Sequence, residues 1–184
     1  MKWLFRIFGV IIGLFLLSVF VGLFISSNLS VERSSEVYAI PEDVFPYLSD
    51  LESHAIWAPW QGPNNEDKYL VGGSDEGVGQ QAVWTCDDED CLPGMQEITV
   101  IQYPEFVQAE LNLNGRPINA TYALMGDENN DGSVTVLLKV DMEVGGFPYV
   151  QRLFKFQERK ALSNRLDLAL VQLETLLKAD GMAD

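Results

Sequence analysis

Histidine and cysteine are scarce in this sequence. Its 184 residues include one histidine, His54, and two cysteines, Cys86 and Cys91. A structural zinc site takes four ligands, and a nucleophilic triad or dyad takes a histidine beside a serine or cysteine; neither set can be assembled from the sequence. Glycine-rich phosphate loops are missing too, since "GVGQ" at 77–80 has no basic residue near it. The sequence therefore predicts no metal site and no cofactor.

His54 is still the first residue to consider for acid–base chemistry, because an imidazole changes charge near neutral pH. It lies in "ESHAIWAPW", within a segment predicted to form a short helix. Side chains on such a helix are often at the surface, which favours capping or solvent exposure over catalysis. His54 is thus a weak catalytic candidate, and the sequence favours a binding protein over an enzyme.

Basic residues are few. The chain has 12 Lys and Arg against 27 Asp and Glu, and two of the basic residues, Lys2 and Arg6, lie at the very start. The rest of the chain is strongly acidic. This charge argues against nucleic acid as a partner and against adhesion to anionic lipid headgroups.

Charge is absent from Ile7 to Ile25, "IFGVIIGLFLLSVFVGLFI". As a helix this run reaches about 28 Å, close to the ~30 Å hydrocarbon core of a bilayer. A signal peptide usually has a shorter apolar stretch and small residues before its cleavage site, whereas "LFISSNLS" offers Phe24 or Ile25 at that position. We expect an uncleaved anchor, with a signal peptide as the alternative.

The flanking charges predict the orientation of this single-pass anchor. Lys2 and Arg6 precede it, and positive charge stays in the cytoplasm. The sequence thus divides into residues 1–29, a transmembrane anchor and tether, and an extracytoplasmic domain, residues 30–184. The segment "SSNLSVERSS" (26–35), where the two meet, is expected to be a short tether. The anchor composition is typical of bacteria, which places the domain on the periplasmic side of an inner membrane.

The exported part begins with a predicted strand, "SSEVYAI" (34–40), followed by two short helices up to Pro59. Apolar and polar residues then alternate, with turn signals such as Asn114-Gly115 between the runs. This predicts antiparallel strands at 67–72, 79–86, 95–103, 106–113, 119–126 and 133–143. Leucines at spacings of three and four from Leu162 to Leu177 predict one long amphipathic C-terminal helix.

Three segments carry a family resemblance: "RSSEVYAIPEDVFPYLSDLESHAIWAPW", "GVGQQAVW" and "MQEITVIQYPEFVQAELNL". Together they resemble the polyketide cyclase/dehydrase branch of the SRPBCC (START-like) superfamily. The resemblance covers roughly residues 33–179. It implies an α+β helix-grip fold, in which a curved antiparallel sheet of about seven strands surrounds a long C-terminal helix and leaves a hydrophobic cavity. Members of this superfamily bind varied ligands, so it implies no single reaction.

From this fold we expect the domain to bind a hydrophobic small molecule or lipid. The residues expected to line the cavity are Trp57, Trp60, Trp84, Leu111, Tyr122, Val136 and Phe154, with the tryptophans near its mouth. Core packing alone would also explain the tryptophans. Two other functions remain open: a cyclase or dehydratase that uses His54, and an interaction scaffold whose cavity is filled by side chains. The sequence indicates no particular protein partner.

Cys86 and Cys91 enclose four acidic residues in "WTCDDEDCLPG", where one strand should turn toward the next. Outside the cytoplasm such thiols tend to be oxidised, so we expect a disulfide that closes this loop. A two-thiolate metal site completed by Asp87 or Asp90, and a redox-active pair, are the alternatives. "DENNDGSV" (127–134) imitates half of a calcium loop but lacks the final glutamate, and a hairpin turn explains it better.

Overall fold

The structure is a computed structural model that describes residues 2–60, 68–85, 92–126, 132–145 and 149–183. A long N-terminal helix, α1, is followed by a strand, two short helices, six more strands, a 3-10 helix and a second long helix, α4. The elements are α1 (Lys2–Leu23), β1 (Asn28–Val37), α2 (Pro41–Ser49), α3 (Leu51–Trp57), β2 (Tyr69–Gly73), β3 (Gln80–Trp84), β4 (Gly94–Gln102), β5 (Phe106–Leu113), β6 (Arg116–Gly126), β7 (Val134–Glu143), the 3-10 helix (Val150–Phe154) and α4 (Lys155–Ala179).

The seven strands form one antiparallel sheet in the order β1-β7-β6-β5-β4-β3-β2. The predicted meander is confirmed, because each strand from β2 to β7 pairs with the next along the chain. Asn114 and Gly115 both have positive φ, at 51° and 80°, and form the tight β5–β6 turn that an Asn-Gly pair favours. The strand β1 closes the other side of the sheet on β7.

The segment expected to be a tether is largely strand. β1 begins at Asn28 rather than at residue 34, and it ends at Val37. Leu29 and Val31 are buried, while Asn28, Ser30 and Glu32 face solvent. Leu29 and Val31 do alternate with polar residues, but two apolar positions are too few to predict a strand, and asparagine and serine favour turns.

The core lies between the concave face of the sheet and α4. Strands β5, β6 and β7 bury alternate residues, and α4 buries Leu166, Ala169, Leu170, Leu173 and Leu177 against them. The predicted C-terminal helix is confirmed. It follows the 3-10 helix directly and runs for 25 residues.

Helix α1 is apolar and almost fully exposed, as a helix in contact with lipid would be. An 18-residue stretch of this 22-residue helix has a mean hydropathy of 2.6, which suits a membrane span and equally a signal sequence. Only Gly22 in its last turn is buried, against the backbone of Tyr149. Helix α1 therefore contacts the rest of the chain at the 3-10 helix.

Cys86, Cys91 and the calcium-like residues Asp127 to Asp131 lie outside the described residues. Their predicted arrangements remain predictions.

Candidate functional site

A pocket of about 210 Å³ lies between the sheet and the first half of α4. Its sheet wall comes from the ends of β5, β6 and β7, its helix wall from α4, and its floor from the segment after α3. The lining residues are Trp60, Leu92, Leu113, Asn114, Arg116, Ile118, Met142, Glu158, Ala161, Leu162 and Arg165. Most of these side chains are apolar, because strands and helix here turn their core-facing positions toward one another.

Charged residues line one part of this pocket. Arg116 at the start of β6 forms an ion pair with Glu158 on α4, with Nη1 and Oε1 3.3 Å apart. Both side chains are about half exposed, so water screens the pair strongly. Arg165 donates from Nη1 to the carbonyl oxygen of Pro59 at 3.4 Å, which ties α4 to the segment after α3.

Behind the pocket, the interior is filled by large aromatic side chains. Trp57, Trp60, Trp84 and Tyr122 are all buried to 2% exposure or less. Trp57 donates its indole N–H to the carbonyl oxygen of Tyr47 at 3.0 Å, and Trp84 donates to that of Leu92 at 2.6 Å. Both indole groups are therefore satisfied by the protein's own backbone, as buried polar groups normally are.

His54 contacts two members of this aromatic cluster. It is fully buried, and its ring packs edge-on against Trp57 and Tyr122. The expectation of an exposed or capping histidine was wrong. Asp50 instead caps α3, accepting a hydrogen bond from the amide of Glu52.

Hydrogen bonds assign the tautomer of His54. A carbonyl oxygen can only accept, so the 3.0 Å contact between Nε2 and the Leu48 carbonyl oxygen places the proton on Nε2. Nδ1 then accepts from Nε2 of Gln96 at 3.2 Å, and the same Gln96 nitrogen also donates to the Tyr122 hydroxyl at 3.3 Å. Both ring nitrogens are occupied within the protein.

Burial determines the protonation states of His54 and Tyr122. It lowers the pKa of His54 from 6.5 to about 4, and the hydrogen bonds to Leu48 and Gln96 oppose this only in part. Burial likewise raises the pKa of Tyr122 well above its usual range. Gln96 and Trp60 both present N–H groups to the Tyr122 oxygen, which opposes this rise in part, but only Gln96 makes a hydrogen bond to it. His54 and Tyr122 are therefore both neutral at pH 7.

The residues predicted to line a ligand cavity fall into three groups. Trp60 lines the pocket. Trp57, Trp84, Leu111, Tyr122 and Val136 are buried in the core behind or beside it. Phe154 is in the 3-10 helix, is half exposed, and is not among the residues that line the pocket. The tryptophans thus form the interior rather than an entrance.

Sequence reasoning missed most of the pocket lining. Leu113 and Met142 belong to the alternating apolar positions of β5 and β7, and Leu162 belongs to the apolar stripe of α4. For these three residues the sequence pattern therefore indicates a side chain that faces the interior. No sequence pattern marks Arg116 and Glu158 as pocket residues, because a charged residue near a strand or helix end ordinarily faces solvent.

Comparison with known proteins is informative at the level of structure only. No family model matches the sequence, and no curated protein is similar to it. A norcoclaurine synthase from Thalictrum flavum, solved with a transition-state analogue, superposes with a TM-score of 0.63 at 14% identity, over 85% of this chain and 98% of that one. A protein from Arthrobacter aurescens gives 0.59 at 15% identity, over 82% and 87%. A protein from the dynemicin biosynthetic locus gives 0.56 at 14% identity, over 81% and 47%.

At these identities the likeness concerns the fold. A seven-stranded curved antiparallel sheet around a long C-terminal helix is the START-like, Bet v1-like helix-grip architecture. One apolar helix, α1, precedes it.

Proposed function

We propose that this protein is a membrane-anchored, extracytoplasmic helix-grip domain that binds a small apolar molecule, or the apolar end of a lipid, in the pocket between β5–β7 and α4. The observation that carries the proposal is the largely apolar pocket of about 210 Å³ at the place where this fold can separate sheet from helix. Helix α1 would hold the pocket beside a bilayer, where apolar molecules partition.

The size of the pocket limits the ligand. An engineered apolar cavity of about 150 Å³ holds benzene, and sites for drug-sized molecules begin near ~300 Å³. The pocket falls between these values, so it suits a single ring or a short acyl chain rather than an entire polycyclic molecule. The aromatic cluster behind Trp60 sets this limit because it fills the deeper interior.

The charged residues suit a ligand with one polar end. The exposed Arg116–Glu158 pair contributes at most about 1 kcal/mol, so a ligand can part it at little cost. A carboxylate or phosphate on the ligand could then replace Glu158 beside Arg116. A short fatty acid has both required features, an apolar chain and an acidic head.

Binding is favoured over catalysis by the state of His54. Its two ring nitrogens are bonded to Leu48 and Gln96, and it is not among the residues that line the pocket. A general base must reach the proton that it removes. The enzymatic activity of norcoclaurine synthase therefore does not transfer to this chain on the strength of a shared fold.

A bridge between Cys86 and Cys91 accompanies this proposal, since an oxidising compartment would favour it. It would close the loop that leads to Leu92, which lines the pocket.

The test uses the full chain in lipid nanodiscs and bromine-substituted octanoate, a heavy-atom quencher of tryptophan. We expect saturable quenching, because Trp60 lines the pocket. Leu162→Trp fills the pocket and should weaken binding about tenfold or more, which corresponds to about 1.4 kcal/mol. The same substitution at Leu168, exposed on α4 and away from the pocket, is the matched control. Equal effects of the two variants, or non-saturable quenching, would contradict the proposal.

A further inference from the structure

An exposed apolar surface lies where the anchor meets the domain. Leu153 and Phe154 in the 3-10 helix and Phe156 in the first turn of α4 are exposed, and Phe156 is 76% exposed. Phe24, directly after α1, is exposed as well. Three large apolar side chains within four residues of chain, with Phe24 directly after α1, would be costly to leave in water.

We define this surface as residues 153–160. Contacts with the end of α1 hold it beside the anchor. Arg152 donates from Nη1 to the carbonyl oxygen of Ile25 at 3.1 Å, and Lys155 donates from Nζ to that of Ser26 at 3.3 Å. Gly22 touches the backbone of Tyr149. The 3-10 helix therefore lies at the level where α1 ends.

Helix α4 runs away from this level alongside β1. Lys155 contacts the carbonyl oxygen of Asn28, and Arg159 donates to that of Ser30 at 3.1 Å. Further along, Arg33 of β1 pairs with Asp167 at 3.0 Å. The contact positions advance together along both elements, so the start of α4 is its end nearest the anchor.

Charge distinguishes this end from the rest of the domain. Residues 149–160 hold four of the chain's 12 basic residues and a single acidic one, Glu158. Arg159 and Lys160 lie three and four positions after Phe156, on the same side of α4. The outer side of α4 further along instead carries Asp167 and Glu174. The acidic remainder does not cancel this local charge, since salt screens interactions beyond about 10 Å.

We propose, resting on the proposed function, that the surface 153–160 docks into the lipid–water interface of the bilayer that α1 spans. Phe154 and Phe156 insert among the headgroups, where aromatic side chains are enriched, and Arg159 and Lys160 contact lipid phosphates. This second attachment fixes the tilt of the domain. It also holds the pocket beside the membrane, because Ala161 and Arg165 follow Phe156 by about 8 and 14 Å along the helix. The ligand would thus enter from the bilayer.

Lipid photocrosslinking from the full chain tests this directly. A benzophenone-bearing phenylalanine analogue is placed, one position at a time, at Phe15 in α1, at Phe156 and at Val171. The protein is reconstituted in vesicles of phosphatidylethanolamine with a minor fraction of phosphatidylglycerol. Val171 is the matched control: it is 59% exposed and lies on nearly the same side of α4, about 22 Å further from the anchor.

Phospholipid adducts at positions 15 and 156, with none at 171, are the expected result. Adducts at 15 without adducts at 156 would overturn the docking surface while leaving the anchor and the pocket intact. Equal adducts at 156 and 171 would also overturn it, since the domain would then have no preferred tilt. Absence of adducts at all three positions would refute the anchor in the proposed function, and the docking surface with it.

Discussion

The buried histidine predicts a specific loss of stability in mild acid. In the folded domain the pKa of His54 is about 4, whereas an unfolded chain has the ordinary value of 6.5. Between these values the unfolded state binds a proton that the folded state does not, so the free energy of unfolding falls as pH falls. Above the upper value His54 contributes no pH dependence, and below the lower value the loss is complete.

The magnitude follows from the two pKa values. Between about pH 7.5 and about pH 5, proton linkage at His54 alone lowers the free energy of unfolding by about 2 kcal/mol. His54→Gln abolishes this component and retains an amide donor for the Leu48 carbonyl oxygen. Since His54 is the only histidine, the variant contains no other imidazole that could replace the effect.

Guanidinium unfolding at both pH values, with α1 held in a non-ionic detergent micelle, measures this difference. Tryptophan fluorescence follows the transition, because Trp57, Trp60 and Trp84 become exposed on unfolding. The wild type should lose about 2 kcal/mol more than His54→Gln on going to the lower pH. Carboxylates titrate in both proteins and cancel in the comparison. Equal pH dependence of the two proteins would refute the assignment of His54 as a buried neutral residue.

Three further outcomes are expected. Gly22→Ala should separate α1 from the 3-10 helix and speed amide exchange near Tyr149, because the added Cβ would lie 2.5 Å from the Tyr149 carbonyl oxygen. Gly9→Ala is the control, since nothing lies within 4 Å of a Cβ added there. Equal exchange in the two variants would contradict the contact. Cys86 and Cys91 should resist alkylation unless reduced and should hold no zinc; two free thiols would exclude the bridge. A reporter active only outside the cytoplasm should give signal at the C-terminus with the protein in the membrane fraction; soluble, shortened protein would indicate a signal peptide.

The sheet and α4 could be predicted because their periodicity is local and visible in the sequence. Leu113 and Met142 alternate with polar neighbours, and the leucines of α4 recur at helical spacing. The predicted start of β1, residue 34, is too late. Only Leu29 and Val31 mark the first half of this strand, and two residues are too few to predict it without the partner strand β7.

The setting of His54 could have been inferred. Leu51, His54 and Trp57 are spaced by three along α3, and the structure buries all three on one side of that helix. As the only polar residue among these three, His54 suggests a surface position when taken alone, but its two neighbours on that side are large and apolar. The pocket was beyond sequence reasoning, since it depends on how far α4 stands from the ends of β5 to β7.

The central claim, that the pocket binds a small apolar ligand, is tested most directly at Met142. The chain has five methionines, and among the residues that the structure describes, Met142 is the only methionine that lines the pocket. Methyl-labelled methionine in the full chain in nanodiscs gives one NMR signal for each of them. Octanoate should shift the Met142 methyl signal in a saturable manner and leave those of Met95, Met125 and Met182 in place. A Met142 signal that stays unmoved, or one that moves only together with these exposed methionines, would contradict the claim.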